Sequence, residues 1–189
     1  MTTAIPVQRA NRRLDLNGTY NFRDVGGYAA RGGLTTKWNK LFRSDALHSL
    51  SQADREVLRA RGLALVIDLR DQEELDKAPN ALAGLDLRQF HLPIFENEID
   101  PRKTSLDLAA MYEQAIDRCG VRLARAVRVI AESDDRPILV HCTARQARTG
   151  PVSSLRLRWR PSVWITATSS QTIRSPRSCW PVIGHPRWL

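Results

Sequence analysis

Pro137-Ile-Leu-Val-His-Cys-Thr-Ala-Arg-Gln-Ala-Arg-Thr-Gly150 is a short apolar run that ends in a cysteine, with an arginine six positions further on. Asp134-Asp135-Arg136-Pro137 reads as a turn feeding a buried strand over Ile138 to Val140, which places Cys142 where that strand ends. If a helix starts near Arg148, the backbone N–H groups of Thr143, Ala144, Arg145, Gln146 and Ala147 can converge on one anion. Helix N-termini present orphan donors and positive dipole at such a point. Arg148 adds a planar fork for two phosphate oxygens, and the positive surroundings favour Cys142 as thiolate over thiol. The stretch therefore predicts a phosphate-binding loop with a cysteine nucleophile.

An isolated cysteine would read as a buried structural thiol. His141, Thr149, Gly150 and the strand before them move the reading toward a binding loop, of which all three are candidate members. His141 has three open roles: orienting the loop, tuning the thiolate, or acting as a satisfied core histidine.

Working outward, Val121, Ala124, Val127, Val129 and Ile130 form a helical pattern ending near Glu132, and Leu108, Met111, Tyr112, Ala115 and Ile116 form another behind a possible Ser105 cap. Gly120 is expected to separate the two. Leu85 to Ile94 is a weaker strand, and Glu73-Glu74-Leu75 a short acidic helix closed by Pro79. Leu63 to Leu69 is a near-continuous apolar run with Asp68 near its end, the pattern of a buried parallel strand. Before it, Ser51 caps a helix with Asp54 at the third position, and that helix should end at Gly62. Lys40 to Asp45 is a short strand into a loop, and Gly26-Gly27 marks a turn anchored by Phe22 and Val25. Alternating strands and helices predict an α/β domain with a mainly parallel central sheet flanked by helices. The phosphate loop would lie at a carboxyl end of that sheet.

With 189 residues and 42% hydrophobic content the chain can bury one sizeable core. No apolar run approaches the roughly 20 residues of a membrane-spanning helix. Residues 1–13 lack a signal-peptide core, so a cytoplasmic location is expected, with non-classical export left open. Three cysteines, Cys119, Cys142 and Cys179, are too scattered for a disulfide framework or a zinc site. The net charge of +9 is uneven. Six arginines and no acid follow Gly150, which leaves 23 basic against 20 acidic residues before it. Basic charge of that kind gives salt-sensitive, unspecific attraction, so no specific nucleic-acid partner is expected.

Asn21-Phe-Arg-Asp-Val-Gly-Gly-Tyr28 and His141-Cys142 with Arg148-Thr-Gly150 together resemble the bacterial tyrosine-protein phosphatase family of the atypical, dual-specificity-like type. Leu41-Phe-Arg-Ser44 and Val66-Ile-Asp-Leu-Arg70 fit the same pattern in order. The resemblance implies a phosphatase-like fold over residues 14–150 that hydrolyses phosphomonoesters of tyrosine, and often of serine, threonine or phosphoinositides, without metal or cofactor. It makes Cys142 the nucleophile and Arg148 the phosphate ligand, and puts Asp68 and Arg70 close to the active site, as a catalytic and a substrate-binding candidate. The partner implied is a phosphorylated protein or a phosphoinositide; the oligomeric state is not implied.

The departures are as informative. The family loop usually reads Cys-Thr-Ala-Gly-Lys-Asp-Arg, whereas Arg145, Gln146 and Ala147 stand here at the Gly, Lys and Asp positions. Ala147 cannot act as the general acid proposed for that aspartate, a loss of about 10²–10⁴-fold in rate. Asp68, Asp71 and Asp100 are the candidate substitutes. Beyond Gly150 the family continues with an apolar helix, but Pro151 to Trp164 lacks a helical face, and four of the five tryptophans lie in residues 151–189. Read two bases out of phase with GC-rich codons, residues 160–173 can encode Ala-Val-Gly-Val-Asp-His-Arg-Asp-Ile-Val-Ala-Asp-Tyr, which resembles the family's next helices. Residues 151–189 are therefore expected to be an aberrant, out-of-frame tail that leaves the domain without its C-terminal helices, as a solvated or unfolded arm. A catalytically impaired phosphate-binding remnant and a non-functional truncated product are the rival readings.

Overall fold

Leu65–Asp68 and Ile138–His141 are buried at every position, so both must lie inside a sheet covered on two faces. The computed structural model describes residues 12–29, 34–96, 108–143 and 165–167, and places these two runs side by side. In chain order the elements are β1 (Arg23–Asp24), β2 (Leu34–Thr36), β3 (Leu41–Ser44), α1 (Gln52–Ala60), β4 (Leu65–Asp68), α2 (Gln72–Lys77), β5 (Arg88–His91), α3 (Leu108–Glu132), β6 (Ile138–His141) and β7 (Ile165–Ala167). The main sheet has the order β1-β3-β6-β4-β5. Three of its four pairings are parallel and β1 joins β3 antiparallel, the mainly parallel α/β sheet expected.

The period of two along each strand divides the core. Leu41, Leu65, Ile67, Leu69, Ile138, Val140 and Cys142 face α3, whose Ala115, Cys119, Leu123, Ala126, Val127 and Ile130 cover them. Phe42, Val66 and Leu139 point the other way, onto Leu58 of α1 and onto Phe22, Leu47 and Leu82. Burying a side chain the size of Leu123 or Ile130 stabilises by about 1.5–3 kcal/mol, so α3 is held chiefly by this stripe.

Helix α1 begins as its sequence requires. Ser51 Oγ accepts from the Asp54 backbone N–H at 3.1 Å, and Asp54 Oδ2 accepts from Ser51 N–H at 2.9 Å. The buried Asp54 carboxylate also takes the N–H groups of Asn17 and Gly18, tying the N-terminal segment to the helix. Gly62, with φ of 67°, terminates it in a left-handed conformation. Gly27, with φ of 70°, makes the turn after β1, where Asp24 accepts from the Gly26 and Asn39 backbone N–H groups.

Two expectations are corrected. Gly120 does not separate two helices: α3 runs unbroken from Leu108 to Glu132. An interior glycine weakens a helix by about 1 kcal/mol, which the packing on either side of it outweighs. Val121, read as part of an apolar face, is 87% exposed, because Cys119 and Leu123 supply the face instead. In the tail, Ile165–Ala167 has a place after all, pairing antiparallel with Leu34–Thr36 in a separate two-stranded sheet. Ser105 and Asp100 lie outside the described residues.

Candidate active site

β6 is the middle strand of the sheet, flanked in parallel by β3 and β4, and Cys142 follows it directly. The carboxyl ends of the three strands meet there, with His141 level with both Ser44 and Asp68. This is where open α/β sheets hold ligands. The Cys142 side chain is buried with the core cluster that faces α3, and Thr143 is exposed. Ala144, Arg145, Gln146, Ala147, Arg148, Thr149 and Gly150 lie outside the described residues.

The pleat puts the other candidates on the opposite face from Cys142. Asp68 and His141 alternate with Ile67, Leu69, Val140 and Cys142, so they project toward the α1 side. There Arg70, fully buried, clasps Asp68: Nη2 donates to Oδ2 at 2.7 Å, and Nε donates to Oδ1 at 3.0 Å and Oδ2 at 3.1 Å. Asn80 Nδ2 donates to Asp68 Oδ2 at 2.9 Å, while the Arg70 fork also reaches the Ala78 carbonyl at 2.7 Å and Asn80 Oδ1 at 2.9 Å. His91 Nε2 lies 2.8 Å from the Arg70 carbonyl. Burial alone would raise the Asp68 pKa, but the Arg70 hydrogen bonds, the His141 charge and the remaining Arg70 contacts bring it down to about 2. Such a group is a fixed carboxylate at neutral pH and cannot deliver a proton. The Arg70 guanidinium is enclosed and holds both Asp68 and the segment after α2.

His141 is wholly buried, and desolvation, reinforced by Arg70 and opposed by Asp68 and Asp45, lowers its pKa to about 4. Its Nε2 is 3.4 Å from Asp68 Oδ2, close enough for attraction but without hydrogen-bond geometry. Neither ring nitrogen finds a hydrogen-bond partner among the described residues. The ring is neutral at pH 7.

Arg43, which the sequence placed only within a matching motif, lies on the same side of the sheet as Cys142. It is level with Val140 and alternates with Phe42, so it shares the Cys142 face. Burial, then the adjacent Arg23 charge, press its pKa below the usual arginine value, while Tyr112, Cys142 and Tyr28 oppose that. On the far side, past β4, a cavity of about 370 Å³ is lined by Asp71, Gln72, Glu73, His91, Pro93 and Glu96.

An α/β domain with a cysteine at the carboxyl end of its central strand matches the tyrosine phosphatase family over residues 14–159, and the chain belongs to that family. The tyrosine-protein phosphatase of Nostoc commune is 32% identical over 121 residues, covering 61% of this chain and 41% of that protein. The triple specificity protein phosphatase PtpB of Mycobacterium tuberculosis is 30% identical over 177 residues, covering 76% of this chain and 62% of its own length. The chain thus spans less than two thirds of the length of these curated relatives.

Proposed function

We propose that the chain hydrolyses phosphomonoesters, phosphotyrosine first and phosphoserine, phosphothreonine or phosphoinositides within the same range, by covalent catalysis at Cys142. The thiolate attacks phosphorus in line, forming a sulfur–phosphorus bond as the ester oxygen leaves with its electron pair. Arg148 and the loop N–H groups hold the equatorial oxygens, where preorganised donors stabilise the transition state most. Water then attacks the phosphocysteine, releasing inorganic phosphate and restoring the thiolate. Residues 14–150 carry this chemistry and a cytoplasmic phosphoprotein is the proposed partner; residues 151–189, as an out-of-frame tail, contribute none of it.

The observation that carries the reading is the position of Cys142, at the carboxyl end of the central strand of a chain in this family. The test is hydrolysis of p-nitrophenyl phosphate: Cys142→Ser should abolish it, and a variant that kept the parent rate would exclude the mechanism.

A second reading, of a domain that holds phosphate but turns over slowly, is favoured by one observation. Asp68 is held as a carboxylate on the far face and Ala147 carries no proton, so neither position supplies one to the leaving oxygen. Vanadate binding without measurable turnover of aryl phosphates would select this reading over the first.

A further inference from the structure

Cys142 is buried in one apolar cluster with Ile67, Leu69 and Val140 of the sheet and Leu123 of α3. A thiol in such surroundings ordinarily stays neutral, because burial disfavours the charged form. A thiolate there needs a cation close by, and the strand register supplies one. Arg43 on β3 is level with Val140 on β6, and Cys142 lies two residues further along on the same face. Strand spacing and rise put the two backbones about 8 Å apart, a span that an arginine side chain covers.

The charge relations of Arg43 point the same way. Burial and the neighbouring Arg23 disfavour its positive form, whereas Tyr112, Cys142 and Tyr28 favour it. Phenols ordinarily ionise near about 10 and thiols near about 8.5, so Cys142 is the first of the three to become an anion as pH rises. The attraction is mutual: a thiolate that stabilises the guanidinium is stabilised by it. The other described groups near Cys142 are differently placed. On the same face β4 brings the apolar Ile67 and Leu69, and α3 brings the buried Cys119 and the half-buried Tyr112. Arg122 of α3 is held by Glu96 at 2.7 Å, and Arg23 stands one strand further out, opposite Arg43. Asp68 and His141 project from the other face, where Arg70 clasps the carboxylate.

We propose that Arg43 acts through Cys142, as the strand-borne cation that keeps the nucleophile a thiolate and leaves Arg148 to the phosphate oxygens. This rests on the reading of Cys142 as the nucleophile of the proposed function. The charge that poises the thiolate then belongs to the sheet itself, so the nucleophile is ready before any substrate arrives.

The test reads the thiol directly, so that turnover does not enter. The full chain is treated with iodoacetamide at pH values from about 4 to 9, and the initial rate of alkylation is followed on the peptide that carries Cys142 by mass analysis. In the parent chain that rate should reach half its maximum well below the free-thiol value of about 8.5. Arg43→Gln should move the midpoint up by about one pH unit, which is about tenfold less thiolate at any pH below both midpoints. Arg43→Met, which keeps a long apolar stem without the charge, should move it as far. Arg43→Lys, charged throughout this range, should stay near the parent, and Arg23→Gln should move the midpoint less than Arg43→Gln does. A low parent midpoint that neither Arg43→Gln nor Arg43→Met raises overturns the role of Arg43 and leaves the thiolate nucleophile standing. A midpoint in Arg43→Lys as high as in Arg43→Gln also overturns it, because charge is then not what acts. A parent midpoint at or above the free-thiol value overturns the thiolate itself, and the proposed mechanism with it.

Discussion

Lowering the pH should unfold this domain in a way that follows from two side chains. His141 titrates at about 4 in the folded chain, against 6.5 when free. As pH falls below 6.5 the unfolded chain takes up a proton at this position and the folded one does not. Stability is therefore whole above pH 6.5 and is lost as pH falls toward 4, by about 1.4 kcal/mol per unit and about 3 kcal/mol in all. Asp68 acts in a lower window. Its pKa is depressed from 3.8 to about 2, so its contribution, about 2 kcal/mol, is present above pH 3.8 and lost as pH falls through 2. Against a total stability of about 5–15 kcal/mol for a domain, the histidine alone removes a large share before the carboxylate begins to act. Urea unfolding followed by circular dichroism at about pH 7.5, 6 and 4.5 measures the slope, and His141→Gln should flatten it over that range. An unchanged midpoint between about pH 7.5 and 4.5, or an equal slope in His141→Gln, would refute this account of the buried ring.

Other outcomes follow from the same geometry. Arg70→Gln leaves Asp68 as a buried carboxylate without its main partner and should cost about 3–5 kcal/mol in chemical denaturation, far more than a surface arginine would. Gly120→Ala should stabilise by about 0.5–1 kcal/mol and raise the melting temperature, since its new methyl group meets nothing within 4 Å. Ala147→Asp should speed hydrolysis of alkyl phosphates and poor aryl leaving groups by about 10²-fold or more, and barely change p-nitrophenyl phosphate, as a plot of rate against leaving-group pKa would show.

The parts of the fold that local chemistry controls could be read from sequence. Ser51 with Asp54 announced the start of α1, Gly62 its end, and the apolar runs at 63–69, broken only by Asp68, and at 138–140 announced interior parallel strands. What depends on two distant segments could not be read. Gly120 is a breaker by local propensity, and only the core stripe on both sides of it keeps α3 whole. Asp68 and Arg70 were legible as charges at a strand's end near the nucleophile, but which face they take follows from the pleat and from burial. That Arg13 pairs with Arg23, and Arg23 with Arg43, needs the register of segments ten and twenty residues apart. Its signal in the sequence was Arg23 and Arg43, each inside a matching motif, with nothing local to say that they meet.

The most direct measurement is of the covalent intermediate. A burst of substrate, quenched in acid within the first turnover and followed by mass analysis of the peptides, should find one phosphoryl group on the peptide carrying Cys142. The same peptide from Cys142→Ser treated identically should carry no thiol-linked phosphate. Turnover of substrate with no phosphoryl group ever found on Cys142, or an undiminished rate in Cys142→Ser, would contradict the account.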